Sequence, residues 1–344
     1  MNRLLVIAAL IIVIVTALIS SALIYFERFL DLPLDVPEGG MTFEIAPGTP
    51  FVNVGQELED VGVLTDADLF RWYASWTGQA ASVQAGEYHI ASGTTPAQLL
   101  EQFTRGDVLL YSITIIEGWN YRELLAAIHA APAIEATLSD EDWPALLAEL
   151  GAEASHPEGL FLPETYRFPR GTSDRDVLRQ AFTLMKTALG EEWQSRDMAS
   201  PVTTPYEALV LASIVEKETG RADERGRIAG VFARRLQKRM RLQTDPTVIY
   251  GIGPVFDGNL TRKHLQTDTP YNTYTRHGLP PTPIAMPGRA AIHAALHPEP
   301  GEELYFVATG TGDGSHKFSV TRNEHDAAVR EYLQRLRRQK TQEQ

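Results

Sequence analysis

Apolar and polar positions alternate along this chain in several distinct rhythms. From Leu4 to Phe26 the stretch LLVIAALIIVIVTALISSALIYF carries no charge over 23 residues. As a helix it would be about 34 Å long, enough to cross a bilayer. A short repeat follows. FEIAPG (Phe43 to Gly48), YHIASG (Tyr88 to Gly93) and TIIEG (Thr114 to Gly118) each set a glycine three residues after an isoleucine, and an apolar residue six after the glycine: Val54, Leu99 and Leu124. That pattern predicts a strand, a glycine turn and a helix with one apolar face. Thr94 or Thr95 ahead of Pro96 marks the start of the second such helix. Helical spacing then recurs in YRELLAAIHA, EDWPALLAEL, DRDVLRQAFTLMKTAL and ERGRIAGVFARRLQKRM. LYFVATG and HKFSVT flank a glycine-rich turn and predict a hairpin, and EHDAAVREYLQRLRRQK predicts a last helix.

Three segments break the rhythm. DLPLDVPEGG, Asp31 to Gly40, is expected as a linker. HPEGLFLPETYRFPRG, His156 to Gly171, is expected as an ordered loop. RLQTDPTVIYGIG and YNTYTRHGLPPTPIAMPG mix aromatic, polar and proline residues, as a groove built from loops would.

Charge changes the picture at both ends of the argument. The net charge of −13 argues against binding nucleic-acid phosphates. Around the N-terminal run, Arg3 and the amine precede it, while Glu27, Asp31, Asp35 and Glu38 follow, with Arg28 the basic exception. The positive end stays in the cytoplasm, so the rest is expected outside, periplasmic and held to the inner membrane. A signal peptide cut near Ser20-Ser21-Ala22 is the rival; the run continues past it to Tyr25 and Phe26. With no cysteine, disulfides, thiolate metal sites and a cysteine nucleophile are excluded. The eight basic residues between Arg221 and Arg241 are expected on a solvated helix face, or in contact with an anionic polymer.

The chemistry centres on YEALVLASIVEKETG. Thr204 to Glu207 reads as a capping box and Gly220 as the stop of a helix that is apolar on nearly every side. Glu216 shares a face with Leu209, Ala212 and Ser213. Glu218 lies about 200° around the axis, so the two carboxylates point apart. The negative helix end and apolar neighbours raise the proton affinity of both, which suits a general acid. The bland alternative is a pair of exposed glutamates partnered by Lys217 or Arg221. His293 and His297 have the spacing of two metal ligands, but lack the glutamate of an HExxH motif, so no metal and no cofactor are expected. GTGDG, Gly310 to Gly314, is expected as a hairpin turn, not a phosphate loop.

ASIVEKET, RLQTDPTVIYG, YNTYTRHGLPPTPIAMPG, LYFVA and EGLFLPETY, in that family's order, resemble the endolytic murein transglycosylases of the YceG-like family over nearly the whole chain. Thr282 and Met286 depart from the usual glycine- and asparagine-bearing form of the proline motif. The resemblance implies an α+β protein: a transmembrane helix (1–26), a linker (27–40), a small LysM-like α/β subdomain (41–108), a catalytic domain (109–335) and a polar tail (336–344). It also implies cleavage of the β-1,4 bond between N-acetylmuramic acid (MurNAc) and N-acetylglucosamine (GlcNAc) inside peptidoglycan strands, leaving 1,6-anhydro-MurNAc ends. Glu216 matches the family's catalytic glutamate. Glu218, Gln243, Asp245, Tyr271, Asn272 and Tyr274 are candidates for the sugar-binding wall. Partners implied are the nascent glycan strand and membrane-bound synthases, with cutting as a terminator of strand elongation. Two rivals stand beside this reading. One is a hydrolase using Glu216 with Asp245 or Glu164. The other is a non-catalytic glycan-binding scaffold.

Overall fold

Residues 2–198 and 200–342 are described by a computed structural model, and the chain divides into two compact units. The first takes in Met1–Tyr111 and Phe168–Gly171; the second takes in Ser112–Arg167 and Thr172–Gln344.

The first unit opens with helix α1 (Asn2–Asp31), followed by β1 (Met41–Ile45), α2 (Phe51–Asp60), α3 (Ala67–Trp76), β2 (Gly86–Ile90) and α4 (Pro96–Arg105). β1 and β2 pair antiparallel, with Met41 opposite Ile90 and Ile45 opposite Gly86. Alternation puts Phe43, Ile45, Tyr88 and Ile90 on one face, where they meet Val54 of α2 and Leu99 and Phe103 of α4 in one core. Two copies of the repeat are visible here. Gly48 and Gly93 turn the chain with φ of +81° and +87°, a region open to glycine without steric cost. Thr95 caps α4, and Gln98 returns the bond to the Thr95 N–H. Residues 27–40, expected as a linker, are packed into this unit. α1 runs on to Asp31, and Phe29, Leu34 and Val36 are buried in its core. An apolar face on the last turns of α1 replaces the flexibility that two prolines and two glycines suggested.

In the second unit the elements are β3 (Leu110–Thr114), whose first two residues belong to the first unit, α5 (Tyr121–Ala130), β4 (Ile134–Glu135), α6 (Trp143–Glu149), β5 (Thr165–Pro169), likewise shared, and β6 (Thr172–Ser173). There follow α7 (Asp174–Ser195), α8 (Pro205–Glu218), α9 (Ala222–Gln237), α10 (Asp245–Ile252), α11 (Arg262–Gln266), α12 (Arg289–Leu296), β7 (Tyr305–Ala308), β8 (His316–Ser319) and α13 (Arg322–Gln342). The third copy of the repeat is β3, a turn at Gly118 with φ +81°, and α5, with Leu124 fully buried. The hairpin is β7 with β8, Tyr305 opposite Ser319. α13 reaches Gln342, so the expected tail is helical there, and its last two residues lie outside the described ones.

α8 is the centre of this unit. Every residue from Ala208 to Val215 is buried, because α7, α9, α10 and α12 pack around it. A helix wrapped on all sides has no need of a polar face, which explains its continuous apolar run. The Thr204 hydroxyl accepts the Glu207 N–H at 3.1 Å, while the Glu207 carboxylate takes the N–H of Thr203 at 2.6 Å, one residue earlier than a capping box places it. The helix stops because Thr219 turns extended, φ −150°, so Gly220 is not required as the stop.

Two expectations change here. RLQTDPTVIYGIG contains a helix, α10, with Pro246 in its first turn, where proline lacks no bond the helix would make. The basic run on α9 is not a uniformly solvated face. Arg235 is buried, giving hydrogen bonds to the carbonyls of Leu304, Arg241 and Leu242, and Arg234 bonds the Glu303 carboxylate and backbone. These guanidiniums staple α9 to the segments around it.

Candidate active site

Glu216 lies in the last turn of α8, just after the continuously buried run to Val215. Its Oε2 accepts the N–H of Gly288 at 3.0 Å. Gly288 is the residue before α12, so the carboxylate sits on a helix N-terminus as well as on one amide. The segment carrying Gly288 is fixed by the third repeat turn. Gly118 N–H donates to the Met286 carbonyl at 2.9 Å, Met286 N–H donates to the Trp119 carbonyl at 2.6 Å, and Lys217 Nζ donates to the Gly118 carbonyl at 3.1 Å. Ser213, one turn before Glu216, accepts the Ile284 N–H at 3.0 Å. Met286 is buried and contributes backbone bonds, so its side chain fills core and does not face the site.

A second carboxylate stands beside this arrangement. A Cβ added to Gly288 would lie 1.8 Å from Oε1 of Glu117, so Glu117 closes over the same glycine that holds Glu216. Burial pushes the Glu216 carboxyl up from its ordinary value. The Gly288 N–H opposes this, the Glu117 charge reinforces it, and Arg225 and Lys217 oppose it more weakly. Burial, the effect of apolar neighbours expected from sequence, is thus the leading cause, and a neighbouring carboxylate adds to it. Glu117 was missed in the sequence because its partner Gly288 is distant along the chain. The signal that pointed toward it was the third copy of the repeat, in which it occupies the turn.

Glu218 points the other way, as the spacing predicts. It accepts a bond from the Thr244 hydroxyl. Burial pushes its carboxyl up, with the Thr244 bond opposing and Asp245 adding to the rise. It lines a cavity of about 460 Å³ together with Gln243, Asp245, Tyr274, Arg235 and Arg322. Tyr274 donates to Asp245 at 2.5 Å. Gln243 is exposed and held at φ +53°, a strained value for a residue with a side chain. The structure thus brings four of the candidates together, apart from Glu216. Tyr271 stands elsewhere, 5.0 Å from the ring of Tyr250 and 2.9 Å from the Thr282 hydroxyl.

Asn272 does not belong in a sugar-binding wall. It is 1% exposed. Its amide nitrogen donates to the carbonyls of His264, Leu265 and Thr267, and its oxygen accepts the Tyr274 N–H. Asn272→Ala is expected to cost about 2 kcal/mol of stability by orphaning these groups, seen as a lower urea midpoint.

The proline motif is seated by a glycine of EGLFLPETY. Gly159 has φ +78°, and a Cβ there would sit 2.5 Å from Cβ of Pro283. The proline ring cannot swing aside as a chain end can. Gly159→Ala is therefore expected to lower stability by at least about 2 kcal/mol, checked by denaturant unfolding. Beside this glycine, Glu158 is fully buried, its carboxylate accepting the Tyr121 N–H at 3.3 Å.

Of the histidine pair, His293 bonds Glu192 of α7 at 2.8 Å and stacks on His297 at 4.3 Å between ring centres. The three side chains hold ligand-capable atoms within 4.8 Å of one another; as they stand, the carboxylate ties α7 to α12. Glu164, the other carboxylate considered for a hydrolase, is exposed, and its backbone carbonyl accepts the Ile115 N–H at 3.0 Å.

Comparison with known proteins adds to this geometry. The sequence model of the YceG-like family matches residues 43–331. An endolytic murein transglycosylase of Bacillus subtilis strain 168 is 30% identical over 333 residues, which cover 92% of this chain and 91% of that protein. An endolytic murein transglycosylase of Streptococcus pneumoniae D39 is 27% identical over 335 residues, 88% of this chain and 60% of that longer one. A yceG-like protein of Listeria monocytogenes, solved at 2.6 Å, superposes with a TM-score of 0.54 at 30% identity, over 84% of this chain and 99% of its own.

Proposed function

The chain belongs to the YceG-like family, and we propose that it is a membrane-anchored murein transglycosylase that uses Glu216 as its one acid–base group. The reaction is the endolytic cleavage of the β-1,4 bond from MurNAc to GlcNAc, leaving a 1,6-anhydro-MurNAc end. The observation that carries it is the setting of Glu216: burial and Glu117 favour the protonated form, while the Gly288 N–H stands ready for the ionised one.

Most glycosidases need two carboxylates. Here the nucleophile is the substrate's own C6 hydroxyl. Glu216, protonated, gives its proton to the glycosidic oxygen as the C1–O4 bond breaks. Glu216, now ionised and held by Gly288, takes the proton of the C6 hydroxyl as O6 closes on C1. Water is not consumed, and the glutamate ends as it began. Intramolecular attack removes much of the entropic cost of bringing a nucleophile to C1. Glu218, Gln243, Asp245 and Tyr274, which share one cavity, are proposed to hold the strand, with Tyr271 as a separate contact. The βααβ order of β1, α2, α3 and β2 supports reading the first unit as a LysM-like glycan-binding module.

The most apolar 18-residue stretch of the span Leu5–Asp31 has a mean hydropathy of 2.9, and none of that stretch is covered by the protein. This supports an inner-membrane anchor with the rest of the chain periplasmic, and so cutting of nascent strands beside the synthases that make them. The test is digestion of uncrosslinked glycan strands in isotopically labelled water. Every new MurNAc end is expected to be lighter than a reducing end by one water and to carry no solvent oxygen. Reducing ends bearing solvent oxygen would replace this reading with hydrolysis, with Glu117 as the second carboxylate.

A further inference from the structure

α3 presents two tryptophans to the outside. Trp72 is 53% exposed and Trp76 is 69% exposed, and their rings stack 5.7 Å apart at 7°. Large, flat, exposed indoles of this kind are costly in water unless something covers them. What covers them is indicated by their neighbour. The edge of the Trp72 ring meets Phe26 at 4.9 Å and 88°, and the ring of Tyr73 lies 6.0 Å from that of Phe26.

Phe26 is the last residue of the uncharged run, and Glu27 follows it. A hydrocarbon layer of about 30 Å is filled by that run as a helix, so Phe26 falls at the outer boundary of the layer. α1 is not free to swing away from α3 there. Phe29, one turn on, is buried in the core of the first unit, and Leu30 packs against that core. The height of Trp72 relative to the bilayer is therefore set by the helix that crosses it. Indole rings favour this level, with an apolar body toward the lipid tails and an N–H toward the headgroups.

Building on the anchored reading above, we propose that Trp72 and Trp76 lie in the headgroup layer of the membrane that α1 spans. The first unit is thus held against the lipid surface by α3 as well as by its anchor. The partner is the bilayer interface itself. An exposed tryptophan pair also suits a sugar ring, but the contact with Phe26 places this pair at the end of the anchor, which favours lipid.

The experiment uses the full chain in vesicles of phosphatidylethanolamine and phosphatidylglycerol doped with brominated lipid. Bromine near the headgroup is expected to quench tryptophan emission at least twofold more strongly in the wild type than in Trp72→Ser/Trp76→Ser. Bromine at the chain ends is expected to show a smaller difference. If the double variant loses its circular dichroism, Trp72→Phe and Trp76→Phe serve in its place, since they keep an aromatic body and remove the fluorophore. Equal quenching of wild type and variant, in protein that resists carbonate extraction, overturns the interfacial contact and leaves the anchor standing. Release by carbonate overturns the anchor, and the contact with it. A change in Trp72 and Trp76 emission on adding glycan strands, with no quenching by bromolipid, assigns the pair to sugar and overturns the proposal.

Discussion

Replacing Glu216 by glutamine is expected to lower kcat about a thousandfold, with KM nearly unchanged. A positioned general acid contributes on the order of 10² to 10⁴ in rate, and here one group acts in both proton transfers. A thousandfold corresponds to about 4 kcal/mol of lost transition-state stabilisation. The fold should not suffer. Glutamine keeps an oxygen for the Gly288 N–H, and it removes a carboxylate whose burial disfavours its charge, so the melting temperature should hold or rise. In the wild type, kcat should fall as pH climbs through the raised pKa of Glu216, because the acid is then ionised before the leaving oxygen needs its proton. Turnover by the variant within tenfold of wild type on purified strands would remove Glu216 from the chemistry.

The second large effect concerns stability. Burial raises the Glu158 carboxyl from 4.5 to about 7, against the opposing pull of the Tyr250 hydroxyl and of the Tyr121 and Gly159 N–H groups. Between those two values the folded protein keeps a proton that the unfolded chain has lost. Raising the pH through this window therefore drains stability, by about 3 kcal/mol in all from this group; above the window nothing further is lost. Glu216 and Glu218 are shifted the same way and add to the slope. His156 next to it is pushed down by burial, which gives a slope of opposite sign below its ordinary value. The clean readout is thus a difference: urea midpoints of wild type and Glu158→Gln across this range. The variant should show a flatter decline and be the more stable of the two near neutrality. Parallel curves would mean that Glu158 does not titrate in the window.

Much of this protein can be read locally, and the rest depends on distance. The three strand–turn–helix copies were legible because Gly48, Gly93 and Gly118 satisfy a demand of the backbone itself, a positive φ that few other residues meet cheaply. Thr204 marked the start of α8 for a similar reason, since an N-cap is chemistry between neighbours. α10 is hidden because aromatic, polar and proline residues mixed in one segment suggest a loop, whereas Pro246 sits in the first turn of a helix. Asn272 looked like a ligand for sugar because nothing in its own segment reveals that backbone carbonyls surround it. Arg234 and Arg235 looked like surface charge until Glu303 and the carbonyls beside it came into place. At the site, the resemblance singled out Glu216. The meeting of Glu117 with Gly288 depends on packing between segments far apart in the chain, which no periodicity encodes.

The repeated turn has one more consequence. Aligned on their isoleucines, the copies read Ile45-Ala46-Pro47-Gly48, Ile90-Ala91-Ser92-Gly93 and Ile115-Ile116-Glu117-Gly118. Proline, serine and glutamate occupy the same place with the same bend after it, so architecture makes no demand on that side chain. It is a vacant slot in a duplicated module, and only the third copy has filled it with an ionisable group. Altering residue 117 should therefore retune the neighbouring acid while leaving the scaffold untouched.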